Sequence, residues 1–430
     1  MSIQTPSVRS DSSPATLATV TKADKADKIA AAPLQWLEAE TPRTALWRSE
    51  RGALPPKRVV LADDTLNADT AYRLACEGTG LLWRGDFQNA RLLLQALARR
   101  IDKPAARKKE KVGKKAPAVT TPAVSAPAVS PADTFNLHRQ AQSQRARVLA
   151  MLLIEFNADY SITLRRAPDA RAACAEAWGE AGSSTEHSVA SLRELLGIIS
   201  AHEWRKKGVE IAQLGAPPNN RIHPHYGVFS PVRGEYVALV ANAPLPRGLA
   251  NAAVAFDIGC GTGVLAAVLA QRGLARVVAT DLDARALTCA RQNIARLGLN
   301  ATVEVREADL FPDGLASLVV CNPPWLPARP GSPIERAVYD EGSQMLLGFL
   351  KGLAAHLAPG GEGWLILSDF AEHLGLRQRS ELLAAIAGGG LKVLGRIDAK
   401  PQHPKVLDAS DALHAARAAE VTSLWRLAVA

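Results

Sequence analysis

The sequence predicts a doubly wound α/β fold with a mostly parallel sheet. Three observations carry that expectation. First, Val254–Asp281 reads as an apolar strand, a glycine turn (Gly259-Cys260-Gly261-Thr262-Gly263), an apolar helix from Val264 to Ala270, then a second apolar strand closing on Asp281. That is the order of a nucleotide-binding βαβ unit. Second, strands and helices alternate from there to the C-terminus, which favours parallel strands covered on both faces. Third, Leu318–Cys321 is apolar throughout, like a central strand, and runs straight into Asn322-Pro323-Pro324-Trp325.

The elements follow in order. Met1–Ala32 is rich in Ser, Thr, Ala and Lys, lacks an apolar leader segment and reads as a disordered tail. Leu34-Gln35-Trp36-Leu37 is taken as a helical start, Val59–Leu61 as a strand, Ala68–Cys76 as a helix, Leu81–Trp83 as a strand and Phe87–Arg100 as a helix. Residues 102–132 form a low-complexity basic Pro/Ala linker. Between Ile101 and Lys115 there are seven basic residues against two acids, over half of the net charge of +9, and Pro-Ala-Val then recurs at Pro117, Pro122 and Pro127. Such a segment cannot build a core and reads as a tether, with Lys103–Lys115 as a candidate contact for RNA phosphates or the ribosome surface. Phe135–Leu153, Ala170–Trp178 and Ser191–Lys207 are expected helices. The last has Ser191 as N-cap and Glu194 at capping-box spacing. Residues 33–101 and 133–215 together are expected to form an α/β accessory region that recognises substrate.

The catalytic half is placed at residues 222–430. Its expected elements are helix Tyr236–Ala241, the βαβ unit, helix Asp283–Leu297 capped by Asp283, strands Thr302–Arg306 and Leu318–Cys321, and helix Ser343–Leu357 stopped by Pro359-Gly360-Gly361. Strand Gly363–Ser368, helix Leu376–Ala387, and strands Leu391–Ile397 and Val421–Ala428 complete it. The strands number seven.

The five cysteines are scattered without a paired spacing, which argues against a zinc site or disulfide framework and fits a reducing cytosol. His223 and His225 flank Pro224 with no third ligand in view, so no metal is expected. No long uncharged apolar run suggests a transmembrane helix.

The glycine turn alone would suit a nicotinamide dinucleotide, a flavin or S-adenosylmethionine. Val264 stands where a dinucleotide fingerprint would have its third glycine. Asn322–Trp325 tips the preference. An amide or exocyclic amino nitrogen has its lone pair delocalised. An Asn oxygen and a neighbouring carbonyl can accept its two N–H bonds and turn the lone pair towards a methyl donor. Prolines fix φ and hold the Pro323 carbonyl outward, and Trp325 can pack on a planar amide or base.

With Asp-Ile-Gly-Cys-Gly-Thr-Gly at 257–263, the distal acid Asp281 and Asn-Pro-Pro-Trp at 322–325, residues 222–430 resemble the class I S-adenosylmethionine-dependent methyltransferases, whose sheet is Rossmann-like and seven-stranded. The Trp325-Leu-Pro continuation and Phe229–Glu235 are most similar to the HemK/PrmC protein-glutamine methyltransferases, whose motif usually carries Tyr in place of Trp. The resemblance implies that Asp257, Gly259, Gly261 and Gly263 line the methionine end of the cofactor and that Asp281 binds the ribose. It implies that Asp309 reaches the adenine amino group with Leu310 beside the ring. Asn322, Pro323 and Pro324 would hold the acceptor nitrogen, Trp325 would wall it, and Arg233 would line the acceptor side or cap a helix. The acceptor expected is a protein glutamine amide. A ribosomal RNA guanine amino group is the alternative, because a paired α/β arrangement resembles the guanine-N2 methyltransferases. A non-catalytic ribosome- or RNA-binding module and a nicotinamide-dependent oxidoreductase are the remaining readings. Cys321 could be a nucleophile but reads better as core, and Trp364 and Trp425 read as core.

Overall fold

The computed structural model describes residues 33–103, 130–182, 186–246, 253–402 and 404–430. The tail at 1–32 and most of the basic Pro/Ala linker, 104–129, lie outside the described residues.

Two sheets organise the chain. The first contains β1 (Pro33–Glu38), β2 (Thr41–Trp47), β3 (Arg58–Ala62), β4 (Thr79–Trp83), β5 (Leu152–Phe156) and β6 (Ser188–Ser191), in the order β1-β2-β6-β5-β4-β3. Helices α1 (Ala68–Cys76), α2 (Phe87–Asp102), α3 (Pro131–Leu149), α4 (Arg171–Trp178) and α5 (Leu192–Lys207) accompany it. A two-stranded ribbon, β7 (Val209–Glu210) with β8 (Arg221–Ile222), leads into the second half.

Three sequence expectations change here. Leu34–Leu37 is strand, not helix: Leu34 and Trp36 are buried while Gln35 and Leu37 are exposed, the period of two that a half-buried strand requires. It pairs with β2 across Ala39-Glu40, both with positive φ. That is the conformation of a tight hairpin, reached without the Asn-Gly that would have signalled it. The helix expected over Phe135–Leu153 ends at Leu149, and Leu152–Phe156 turns into a strand between β4 and β6. The apolar run from Val148 to Ile154 continues across that boundary, so periodicity could not mark it. Ser191 does cap α5, accepting from the Glu194 amide at 3.1 Å. The Glu194 carboxylate, however, accepts from the Glu50 amide at 2.8 Å instead of closing a capping box.

The second sheet holds β9 (Val254–Ile258), β10 (Arg276–Asp281), β11 (Val303–Glu307), β12 (Ala316–Cys321), β13 (Leu357–Ser368), β14 (Leu391–Ala399) and β15 (Thr422–Val429). Their order is β11-β10-β9-β12-β13-β15-β14. The five strands from β11 to β13 are parallel, and β15 runs antiparallel to both β13 and β14. This is the Rossmann-like, seven-stranded, mostly parallel arrangement. Pro359-Gly360-Gly361 does not precede the strand as expected but lies within β13, where the register with β12 shifts. A bulge is where a strand tolerates such residues.

Helices α6 (Glu235–Asn242), α7 (Val264–Gln271) and α8 (Ala284–Arg296) pack on one face. On the other lie α9 (Gln344–His356) and α11 (Arg379–Gly388), with the short α10 (Phe370–His373) between them in sequence and α12 (His414–Ala419) before β15. The helix expected over Leu376–Ala387 thus begins at Arg379. Alternation in the strands feeds both layers: Ala255, Val277, Ala279, Leu318 and Val320 join one core, and Phe256, Ile258, Val278, Val319 and Cys321 the other. Trp364 and Trp425 are buried in these cores.

Candidate active site

The chain order reverses between β10 and β12, which flank β9 on opposite sides. A crevice must open there at the carboxyl ends of the strands. It does: a cavity of about 950 Å³ lies against the glycine turn, the end of β10 and Asn322–Trp325.

The turn is held from below. The amides of Gly259 and Cys260 both donate to the Thr280 carbonyl, at 2.9 and 2.8 Å. The Gly261 amide donates to Asp281 Oδ2 at 3.0 Å, and the Asp283 amide to Asp281 Oδ1 at 3.0 Å. Burial raises the Asp281 carboxyl above its ordinary value, and those two amides act against it. Gly259, Gly261 and Gly263 all have positive φ. Gly261 lines the cavity, and a Cβ placed on it would meet no atom within 4 Å, so it would project into empty space.

Asp257 and Gly263, expected to line the cofactor, do not line the cavity. Gly263 is the N-cap of α7 in a left-handed conformation and has no side chain with which to cap it. Asp257 supplies that function from the preceding strand: its Oδ2 accepts from the Ala266 amide, in the first turn of α7, at 2.9 Å. The carboxyl is 1% exposed, its Oδ1 has no hydrogen-bond partner, and burial pushes its pKa up to about 7.

On the far side of Asp281, exposed Asp309 and half-buried Leu310 line the cavity. Leu310 has φ +67°, a strained value for a branched side chain. Its carbonyl accepts from Thr280 Oγ1 at 2.6 Å, which holds the strain in place. Its side chain fits against α9 at Gly348, where any Cβ would come within 2.8 Å of Leu310 Cδ1.

Asn322, Pro323, Pro324 and Trp325 line the opposite wall. The Trp325 indole Nε1–H donates to Asn322 Oδ1 at 2.9 Å. Arg233 enters the same wall, its Cζ 6.0 Å from the Trp325 ring centroid. Cys321 is fully buried and burial drives its thiol far up, so it stays a core residue. His223 and His225 are engaged with the Arg205 carbonyl and the Gln292 side chain, at 2.6 and 3.0 Å. No cluster of three metal-ligating side chains occurs among the described residues.

Several wall residues escaped the sequence reading. Phe135 and His138 reach in from α3, and Glu420 and Arg417 from the segment before β15. Glu420 had a usable signal: an antiparallel last strand begins at the carboxyl end of its parallel neighbours. Phe135 and His138 had none, because their placement depends on how the two halves pack.

The family model of the methyltransferase small domain matches residues 219–381, the stretch that carries the glycine turn, Asp281 and Asn322–Trp325. Residues 219–381 are therefore similar to the methyltransferase small domain family. A release factor glutamine methyltransferase of Cereibacter sphaeroides is 31% identical over 195 residues, 40% of this chain and 65% of that protein. A ribosomal protein L11 methyltransferase of Vibrio cholerae is 37% identical over 92 residues, 21% of this chain and 31% of that protein. The chain therefore spans 31% to 65% of the length of these curated relatives. Among solved structures, a ribosomal protein L11 methylase from Lactobacillus delbrueckii subsp. bulgaricus is similar at 18% identity and a TM-score of 0.31, covering 45% of this chain and 76% of that one. S-adenosylmethionine is the cofactor that goes with the methyltransferase small domain. The bare Gly261 backbone, the acid closing β10 and the volume of the cavity fit it. No described helix is long and apolar enough to cross a membrane.

Proposed function

We propose that this chain is a methyltransferase that moves a methyl group from S-adenosylmethionine to a planar nitrogen, and that the acceptor is a glutamine side-chain amide of a protein. The observation that carries this reading is the asparagine carboxamide at the mouth of β12, facing the same cavity as the glycine turn and Asp281. When bound, S-adenosylmethionine supplies an electrophilic methyl carbon on a sulfonium, which a correctly aimed lone pair can displace in line.

The work of the chain's own residues is positioning. Gly259, Gly261 and Asp281 define the donor end, with Asp309 and Leu310 beside it. Asn322 Oδ1 and the Pro323 carbonyl accept the two N–H bonds of the acceptor, which turns its lone pair towards the donor. Trp325 and Pro324 bound the planar group, and Phe135 keeps water from the mouth. The relative named as a release factor glutamine methyltransferase supports an amide acceptor. A ribosomal RNA guanine amino group is the second reading, favoured by the basic run Lys103–Lys115.

The test is transfer of labelled methyl from S-adenosylmethionine into a cell lysate, followed by protease or RNase. Label lost to protease and resistant to RNase supports the amide reading. Label lost to RNase selects the second. Absence of S-adenosylmethionine binding by calorimetry sinks both.

A further inference from the structure

The acceptor wall contains a charged pair that the transfer step does not explain. Glu420 lies just before β15, with a side chain 1% exposed. Its Oε1 accepts from Ser368 Oγ at 2.8 Å and faces Arg233 Nη1 at 3.5 Å, while its Oε2 has no hydrogen-bond partner. A buried carboxylate is costly unless a cation answers it. The other cation near it, Arg417, is already engaged with Asp411 at 2.7 Å. Arg233 is left to balance the charge, and it does so from above the Trp325 ring, with the guanidinium carbon 6.0 Å from the ring centroid. The indole in turn donates to Asn322 Oδ1 at 2.9 Å.

These contacts form one line: Ser368, Glu420, Arg233, Trp325, Asn322. Its last link has a definite chemical sense. A carboxamide presents oxygen and NH₂ on nearly the same shape, and the wrong face would set N–H against the N–H of an acceptor. An indole N–H is a donor only, so it selects the oxygen. That oxygen has two lone pairs, and one remains for the acceptor.

We propose that Glu420 and Arg233 are positioning residues: by fixing the Trp325 indole they hold the Asn322 oxygen turned to the acceptor. The inference rests on the transfer reading above. It assigns a role to a residue almost a hundred positions from the motif it serves, and it makes Trp325 a hydrogen-bond donor as well as a wall.

The full chain labelled with ¹⁵N-tryptophan contains eight indoles. Trp325→Phe identifies the Trp325 indole resonance by its loss. Glu420→Gln retains volume and the Ser368 contact but removes the charge, and it should shift that resonance while leaving the indoles remote from it in place. Arg233→Met, at a partly exposed position, should do the same and serves if Glu420→Gln folds poorly. In the labelled-methyl assay Glu420→Gln should lower the rate about tenfold, within the range for residues in one contact network, with S-adenosylmethionine affinity unchanged. In a Trp325→Phe background it should cost almost nothing more. An unmoved Trp325 resonance in both variants, or losses that multiply in full in the double variant, would overturn the proposal. If the wild-type chain transfers no methyl group, the transfer reading falls, and the resonance alone decides whether the line of contacts exists.

Discussion

Asp257→Asn offers a direct measure of what the buried cap costs. The Asp257 carboxyl has an ordinary value near 3.8 and is raised to about 7 by burial, with the Ala266 amide acting against the shift and the Asp281 charge adding to it. Between those values the folded chain retains a proton that the unfolded chain has released. Stability from this group is therefore fully present below about 3.8 and is lost as the pH rises through about 7. At about 1.4 kcal/mol per pH unit the full loss is roughly 4 kcal/mol, and between pH 5 and pH 8 it amounts to roughly 2 to 3 kcal/mol. Asparagine does not titrate, and its Oδ1 can still accept from the Ala266 amide. The variant should thus gain on the wild type by roughly 2 to 3 kcal/mol across that interval. Urea unfolding followed by circular dichroism at half-unit steps, without cofactor, measures both chains. Taking the difference cancels groups common to the two, such as Glu194, which burial raises to about 7. A difference that stays flat from pH 5 to pH 8 would refute the assignment of Asp257 as a dry, proton-holding cap.

Asn322→Ala should lower methyl transfer by about 10²–10³-fold, as for loss of one preorganised hydrogen-bonding group. Calorimetry should find S-adenosylmethionine affinity unchanged. Gly263→Ala places a Cβ 3.2 Å from the Ala290 Cβ at a φ of +77° and should cost about 2 kcal/mol in urea unfolding. Gly273→Ala, at φ +87° in open space, should cost about 1 kcal/mol, so the difference reports contact between α7 and α8. Phe135→Ala should destabilise the chain by about 3 kcal/mol and raise the KM for the acceptor more than it lowers kcat, read from thermal unfolding and steady-state rates.

The glycine turn, Asp281 and Asn322–Trp325 were legible because their residue types and order are dictated by the turn and the strand ends they occupy. The structure brings them to one cavity. Asp257 shows the limit of that logic. An acid at a strand end beside a glycine turn can face a ligand or cap the next helix, and only the burial and the bond to Ala266 tell which. Leu34–Leu37 failed for a different reason: four residues carry too little periodicity to separate a turn of helix from a short strand, and its hairpin uses Ala39-Glu40. Phe135 and His138 reach the site through tertiary packing across long sequence separations, which no local pattern encodes.

That packing bears on what the N-terminal half contributes. It reaches the domain at both ends of the cavity. At the donor end, Arg285 lies in the first turn of α8, four residues past Asp281. It pairs with Glu50 at 2.8 Å and donates to the Ala177 carbonyl at 3.0 Å. At the acceptor end, Phe135 is buried among Leu326, Phe370, Leu374 and Leu413, and Arg139 donates to the Arg329 carbonyl at 2.7 Å. Residues 219–381 alone would lose both attachments, expose that apolar cluster and open the cavity mouth. Through Phe135 and His138, α3 is therefore part of the wall of the cavity that the glycine turn and Asn322–Trp325 also line.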